Sequence, residues 1–70
     1  MVQKIAKYCR SHYRFVSQIK DKATMRRLAK IVALEYAIET TADMNVCLSE
    51  TVINAVINKL MPKQIESYEY

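Results

Sequence analysis

The stretch that decides the fold is residues 22–40, which read KATMRRLAKIVALEYAIET. At the spacing of an α-helix its apolar residues fall on two nearly opposite sides. One side holds Met25, Leu28, Val32 and Tyr36, and the other holds Ile31, Leu34 and Ile38. A helix that is apolar on two sides packs on its neighbours within the chain and also on something else. In so small a chain we expect a second copy of the protein there, and we predict a homodimer interface that contains Met25, Ile31, Leu34 and Ile38.

An amphipathic helix is predicted on each side of this stretch. Residues 2–19 gather their apolar side chains on one arc of a helical wheel, and the opposite arc carries cations and no acid. Asp21 is suited to cap the helix over 22–40, and Ser49 is suited to cap a third helix over about 49–61. The segment 42–48 is compatible with a short strand, a turn or a short helix. We therefore predict a single all-α domain over residues 1–62, a bundle of three or four helices, followed by a polar tail over 63–70.

The composition excludes several classes of active site. The chain has 70 residues, no glycine and one proline, so it lacks glycine-rich phosphate loops and the glycine turn that exposes a nucleophilic serine. Its acids are scattered, and its one histidine, His12, falls on the apolar arc of the first helix. A bundle of this size also has little room for a substrate pocket. We expect a non-enzymatic protein with no small-molecule substrate and no cofactor.

The cysteines bear on metal binding and on location. Cys9, His12 and Cys47 are the only cysteine and histidine residues, whereas a structural zinc site takes about four such ligands. We therefore expect no metal site and free, buried thiols. The longest apolar run is Ile31 to Leu34, and the first residues do not have the pattern of a signal peptide. The expected location is the cytoplasm or the nucleoid, without secretion or membrane insertion.

Charge is distributed unevenly along the chain. Residues 1–30 carry nine cations and one acid, whereas residues 31–70 carry two cations and six acids. Such an asymmetry indicates a polyanionic partner for the first half. The predicted binding residues are Lys4, Lys7, Arg10, Arg14, Gln18, Lys22, Arg26, Arg27 and Lys30.

Two classes of partner fit these residues. The first is nucleic acid, most simply DNA, whose phosphates would bind the row of cations on the first helix. The second is an acidic protein surface, with the chain acting as a modulator or inhibitor of the kind that viruses and mobile elements encode. A third explanation needs no partner of another kind, because a basic face can oppose an acidic face within a dimer.

The stretch LSETVINAVIN, residues 48–58, resembles the recognition helix of helix-turn-helix proteins, which often opens with a capping serine followed by threonine and valine. The resemblance covers eleven residues. It departs from the family pattern because Cys47 stands near the place of the turn glycine, and the spacing from serine to threonine is one residue short. The resemblance implies base contacts from Thr51, Asn54 and Asn58. The alternative is a well-capped amphipathic helix of the bundle, which the apolar spacing favours.

Aromatic residues interleave with the cations of the first helix. Tyr8, Tyr13 and Phe15 stand among them, and such rings can stack on unpaired bases. Their positions at the edges of the apolar arc favour packing in the core instead.

Overall fold

A computed structural model describes residues 1–61, and this part of the chain is helical without a β-strand. Helix α1 spans Val2–His12, a 3-10 helix spans Arg14–Gln18, and α2 spans Lys22–Thr40. Helices α3, Met44–Cys47, and α4, Glu50–Leu60, follow. The predicted all-α class is confirmed, with four α-helices in the described part. The tail predicted over 63–70 lies outside the described residues.

Helix α2 is the centre of the packing, since it contacts α1, α3 and α4, and α1 also contacts α4. Its buried residues recur at the helical spacing of three and four, which places one apolar stripe against the other helices. The buried core consists of Ile5, Cys9, Val16, Met25, Leu28, Ala29, Val32, Ala33, Ala37, Cys47, Ile53, Val56 and Ile57. Small alanines on α2 allow close approach of the neighbouring helices, while isoleucines from α1 and α4 fill the remaining volume.

The single helix predicted over 2–19 is wrong in its second half. Helix α1 ends at His12, because Tyr13 leaves the helical conformation with φ −129° and ψ 80°, and the 3-10 helix follows. Serine, histidine, aromatic and β-branched residues dominate positions 11–17, and all of these have modest helix propensity. After the break, the Tyr13 hydroxyl contacts Glu35 and Val16 is buried in the core.

Both predicted N-caps are confirmed. The Asp21 carboxylate accepts hydrogen bonds from the backbone N–H of Thr24 at 2.9 Å and from its hydroxyl at 2.6 Å. The Ser49 hydroxyl accepts from the backbone N–H of Val52 at 3.4 Å. Each cap satisfies a donor that the first turn of its helix cannot satisfy internally.

The segment 42–48, whose structure the sequence leaves open, contains the short helix α3. Helix α2 ends at Thr40, and Thr41 after it has a left-handed backbone with φ 53°. The next residue, Ala42, donates its backbone N–H to the carbonyl of Ala37 at 3.0 Å, which closes the end of α2. Asp43 then caps α3 by accepting from Asn45 and Val46. The chain thereby turns within a few residues and directs α4 back onto α2.

No helix within residues 1–61 is long and apolar enough to cross a membrane. Cys9 and Cys47 are both buried with free thiols. Burial raises the pKa of the Cys9 thiol, and the nearby Arg10 opposes this effect only in part, so the thiol stays protonated at neutral pH.

Candidate partner-binding surfaces

The cations predicted on the first helix form a shorter row than expected. Lys4 and Lys7 are exposed on α1, and their spacing of three places them on the same side of the helix. Arg14 is also exposed, but it belongs to the 3-10 helix, because α1 ends before it. Gln18 is exposed at the end of that segment. We call Lys4, Lys7 and Arg14 the basic surface.

Arg10 is turned toward the bundle. Its guanidinium donates a hydrogen bond from Nη2 to the backbone carbonyl of Lys59 at 3.1 Å. That carbonyl belongs to the last turn of α4, where carbonyl groups lack partners within the helix and a positive charge is favourable. Arg10 therefore ties α1 to α4, and we expect its contribution to be structural more than partner-binding.

The predicted binding cations on α2 divide into two kinds. Arg26 is half-buried and donates to Glu50 Oε1 at 3.2 Å and to Asn54 Oδ1 at 2.7 Å. It forms the one ion pair among residues 1–61, and this pair fastens α2 to the start of α4. The other three cations, Lys22, Arg27 and Lys30, are exposed.

The acids of the described region are mostly engaged in local contacts. Asp21 and Asp43 cap helices, and Glu50 pairs with Arg26. The hydrogen bonds from Thr24 lower the pKa of the Asp21 carboxyl, with a smaller contribution from the positive charge of Arg27. Within residues 1–61, no carboxylate forms an ion pair with the basic surface.

The residues predicted to contact bases lie on α4. Thr51, Asn54 and Asn58 are all exposed, and their spacing keeps them on the side of α4 away from Ile53. Asn54 is not free, however, since its side-chain oxygen accepts from Arg26. The implied base contacts remain a prediction, and Arg26 would have to release Asn54 for a full contact.

An open groove of about 410 Å³ runs between α1 and α2. It is lined by Tyr8, His12, Tyr13, Glu35, Ile38 and Glu39. The Tyr8 and His12 rings stack with centroids 4.1 Å apart, and His12 Nδ1 lies 3.0 Å from the Tyr8 carbonyl oxygen. His12 falls on the apolar arc of the predicted first helix, yet it is exposed at the wall of this groove. The groove combines aromatic faces with two carboxylates, and both features attract cations.

The carboxylates also act on the tyrosines of the groove. The Tyr13 hydroxyl donates to Glu35 Oε1 at 2.6 Å. This hydrogen bond, together with desolvation and the negative charge of Glu35, raises the pKa of Tyr13 to about 12. Desolvation and the charges of Glu39 and Glu35 raise the pKa of Tyr8 as well. Both tyrosines are therefore neutral hydrogen-bonding groups at physiological pH.

The apolar side of α2 that the sequence assigned to a dimer is exposed. Ile31 is 50% exposed, Leu34 is 38% exposed and Ile38 is 60% exposed. Met25 is a correction, since it is fully buried in the core of the chain and does not reach the surface. Helical spacing explains this, because Met25 shares its side with the buried Leu28 and Val32. We call Ile31, Leu34 and Ile38 the α2 stripe.

Phe15 is a surface residue, so the core packing that its position in the sequence favoured is wrong. It is 52% exposed, and its ring meets the ring of Tyr13 edge-on at 5.9 Å. The helical wheel placed Phe15 at the edge of the core, but the change to 3-10 geometry after Tyr13 rotates it outward. An exposed aromatic ring thus follows Arg14 directly in the sequence.

No group of three or more histidine, cysteine, aspartate or glutamate side chains in the described part of the chain is placed to hold a metal ion. No protein-family model, curated protein or solved structure matches this chain.

Proposed function

We propose that the chain is a small, non-catalytic regulatory protein of the cytoplasm or nucleoid that binds nucleic acid through its basic surface and acts as a homodimer. One observation carries the proposal: Lys4, Lys7 and Arg14 are exposed, and the described acids form their contacts elsewhere. Ordinary solvated helix faces mix charges to gain pairs between neighbouring turns. A row of cations without such pairs is suited to the phosphates of a nucleic-acid backbone.

Phe15 adds a second means of contact. Aromatic rings beside cations stack on unpaired bases, whereas the bases of a duplex are already stacked on one another. The exposed Phe15 next to Arg14 therefore favours a single-stranded segment at this end of the basic surface. Stacking of this kind is worth about 1–3 kcal/mol per base.

The test is the salt dependence of binding to labelled single-stranded and duplex DNA, followed by fluorescence anisotropy. Contact of the three cations of the basic surface with three phosphates predicts a slope of roughly −2 to −3 for the logarithm of the association constant against the logarithm of the salt concentration. The variant Lys4→Gln/Lys7→Gln should lower both the affinity and the magnitude of this slope. Phe15→Ala should weaken binding to the single strand more than binding to the duplex.

A matched control separates the basic surface from the net charge. Lys20→Gln/Lys59→Gln removes the same charge from two exposed lysines outside the basic surface, and it should change the slope less. Equal losses in the two double variants would mean that the basic surface is not the site. The absence of binding to either DNA at low salt would refute the proposal.

Docking on an acidic protein surface is a second candidate. The observation that favours it is the same exposed Phe15 beside Arg14, because aromatic residues and arginine are enriched at protein interfaces. Retention of the full chain by a host protein, with loss of that retention in Phe15→Ala and without any DNA binding, would favour this candidate over the first.

A further inference from the structure

We infer that a second copy of this chain covers the α2 stripe, with the two α2 helices antiparallel about a two-fold axis that passes between Ile31 and Leu34. The inference rests on the proposed dimer and gives it a geometry, but it does not depend on nucleic-acid binding. Its starting point is the α2 stripe itself, which spans two turns of α2 and points away from the core. Identical apolar surfaces pair most simply in this isologous way.

The direction of the pairing follows from charge. Arg27 lies on the same side of α2 as the stripe, one turn before Ile31, whereas Glu35 and Glu39 flank its other end beside Ile38. A parallel arrangement would place Arg27 against its own copy. An antiparallel arrangement places Arg27 of each copy near Ile38, Glu35 and Glu39 of the other copy.

The groove between α1 and α2 gives Arg27 a place to bind. In the antiparallel register, Arg27 of the second copy meets the edge of the groove at Ile38. The guanidinium can there contact the Glu39 carboxylate while it lies against the aromatic rings of Tyr8 and His12. Arginine suits such a setting because its planar group both pairs with carboxylates and stacks on rings. Lys30 lies on the opposite flank of the stripe from Glu35 and takes no part in this pairing.

The expected dimer is of moderate affinity. Three partly exposed side chains from each copy form a small apolar area, and interfaces of low area are usually transient. We expect a dissociation constant in the micromolar range. Sedimentation velocity of the full chain, at protein concentrations from low to several hundred micromolar, should therefore show a monomer converting to a dimer.

Charge reversal tests the register. Arg27→Glu and Glu39→Arg should each raise the dissociation constant roughly tenfold or more, because each places like charges in contact. The double variant Arg27→Glu/Glu39→Arg should recover most of the wild-type affinity, and an equimolar mixture of the two single variants should form a mixed dimer. Glu39 is the better choice than Glu35 because Glu35 also holds Tyr13 within the chain.

Disulfide cross-linking tests the antiparallel pairing of the two α2 helices independently of charge. Leu34→Cys mixed with Ile31→Cys should cross-link efficiently, whereas a parallel pairing would instead cross-link Ile31→Cys with itself. Circular dichroism checks that each variant keeps its helical content. A chain that stays monomeric at every concentration, or a double variant that fails to recover, overturns the inference. Because no nucleic acid is present, failure here is distinguishable from failure of DNA binding.

Discussion

Three isoleucines allow the assigned core to be tested with the same substitution at two buried positions and one exposed position. Ile5 in α1 and Ile53 in α4 are fully buried, whereas Ile38 in α2 is 60% exposed. Isoleucine to alanine removes three carbon atoms, which at about 0.8 kcal/mol each amounts to about 2.4 kcal/mol of lost transfer free energy at a buried site. The cavity left behind adds to this, so we expect Ile5→Ala and Ile53→Ala each to cost about 2–5 kcal/mol.

The exposed site should respond differently. Ile38→Ala loses little burial in the monomer, and alanine is the better helix former, so its effect should lie within about 0.5 kcal/mol of zero. The described residues number about sixty, and a domain of this size is typically stable by roughly 3–9 kcal/mol. One core substitution therefore removes a large part of the total stability.

Urea denaturation followed by circular dichroism at 222 nm measures all three variants. The protein concentration should stay below that at which dimers form, so that only the fold of the single chain is reported. A cost for Ile38→Ala equal to that of Ile5→Ala would refute the division between core and α2 stripe. A cost below about 1 kcal/mol for both buried sites would refute the assigned core.

Two further predictions separate structural from surface roles. Arg10→Gln should lower the melting temperature more than Lys7→Gln, because only Arg10 binds the end of α4 through the Lys59 carbonyl. Thermal denaturation measures both variants, and equal melting temperatures would show that this contact contributes nothing to stability. The Tyr13 pKa is raised from its usual value of 10 to about 12, so the stabilisation linked to its protonated form is complete below pH 10 and is lost as the pH rises through about 12. Urea titrations across this range should show a steeper loss of stability for the wild type than for Tyr13→Phe, and identical profiles would contradict the role of the Glu35 hydrogen bond.

The sequence predicted the architecture correctly where a feature depends on helical periodicity or on residues close together in the chain. The two-sided pattern of residues 22–40 correctly separated buried Leu28 and Val32 from exposed Ile31 and Ile38. The N-caps Asp21 and Ser49 were also found, since a cap depends on a side chain and a backbone N–H only two or three residues away. Such features require no knowledge of the distant parts of the chain.

The features that the sequence did not predict involve contacts between residues far apart in the chain. The end of α1 is accompanied by a hydrogen bond from Tyr13 to Glu35, which is 22 residues away, and no periodicity reports a contact at that distance. Arg10 likewise looked like one more cation of a row until its contact with Lys59, 49 residues away, turned it toward α4. The exposure of Phe15 follows from the same break at Tyr13.

The two proposed surfaces have a geometric relation that leads to one last prediction. The groove joins Tyr8 and His12 of α1 to Glu35 and Glu39 of α2, so α1 lies on one flank of the α2 stripe. In the antiparallel pair, the two-fold axis passes between the two α2 helices, perpendicular to the plane that contains them. Rotation about this axis leaves each flank of the α2 stripe on the same side of that plane. Both copies of α1, each with its basic surface, therefore project from the same side of the dimer. A nucleic acid long enough to reach both should bind the second with an effective concentration in the millimolar range.

Glu39→Arg distinguishes this bivalent binding from simple attraction between charges. The substitution replaces a negative charge with a positive one, and this change alone should tighten binding to any nucleic acid. It also opposes Arg27 of the second copy and should weaken the dimer roughly tenfold or more. If the two basic surfaces act together, Glu39→Arg should bind a long DNA more weakly than the wild type does, while its binding to a DNA too short to span both surfaces is equal or tighter. Anisotropy titrations with both lengths measure this, and tighter binding of Glu39→Arg to both would show that each chain binds alone.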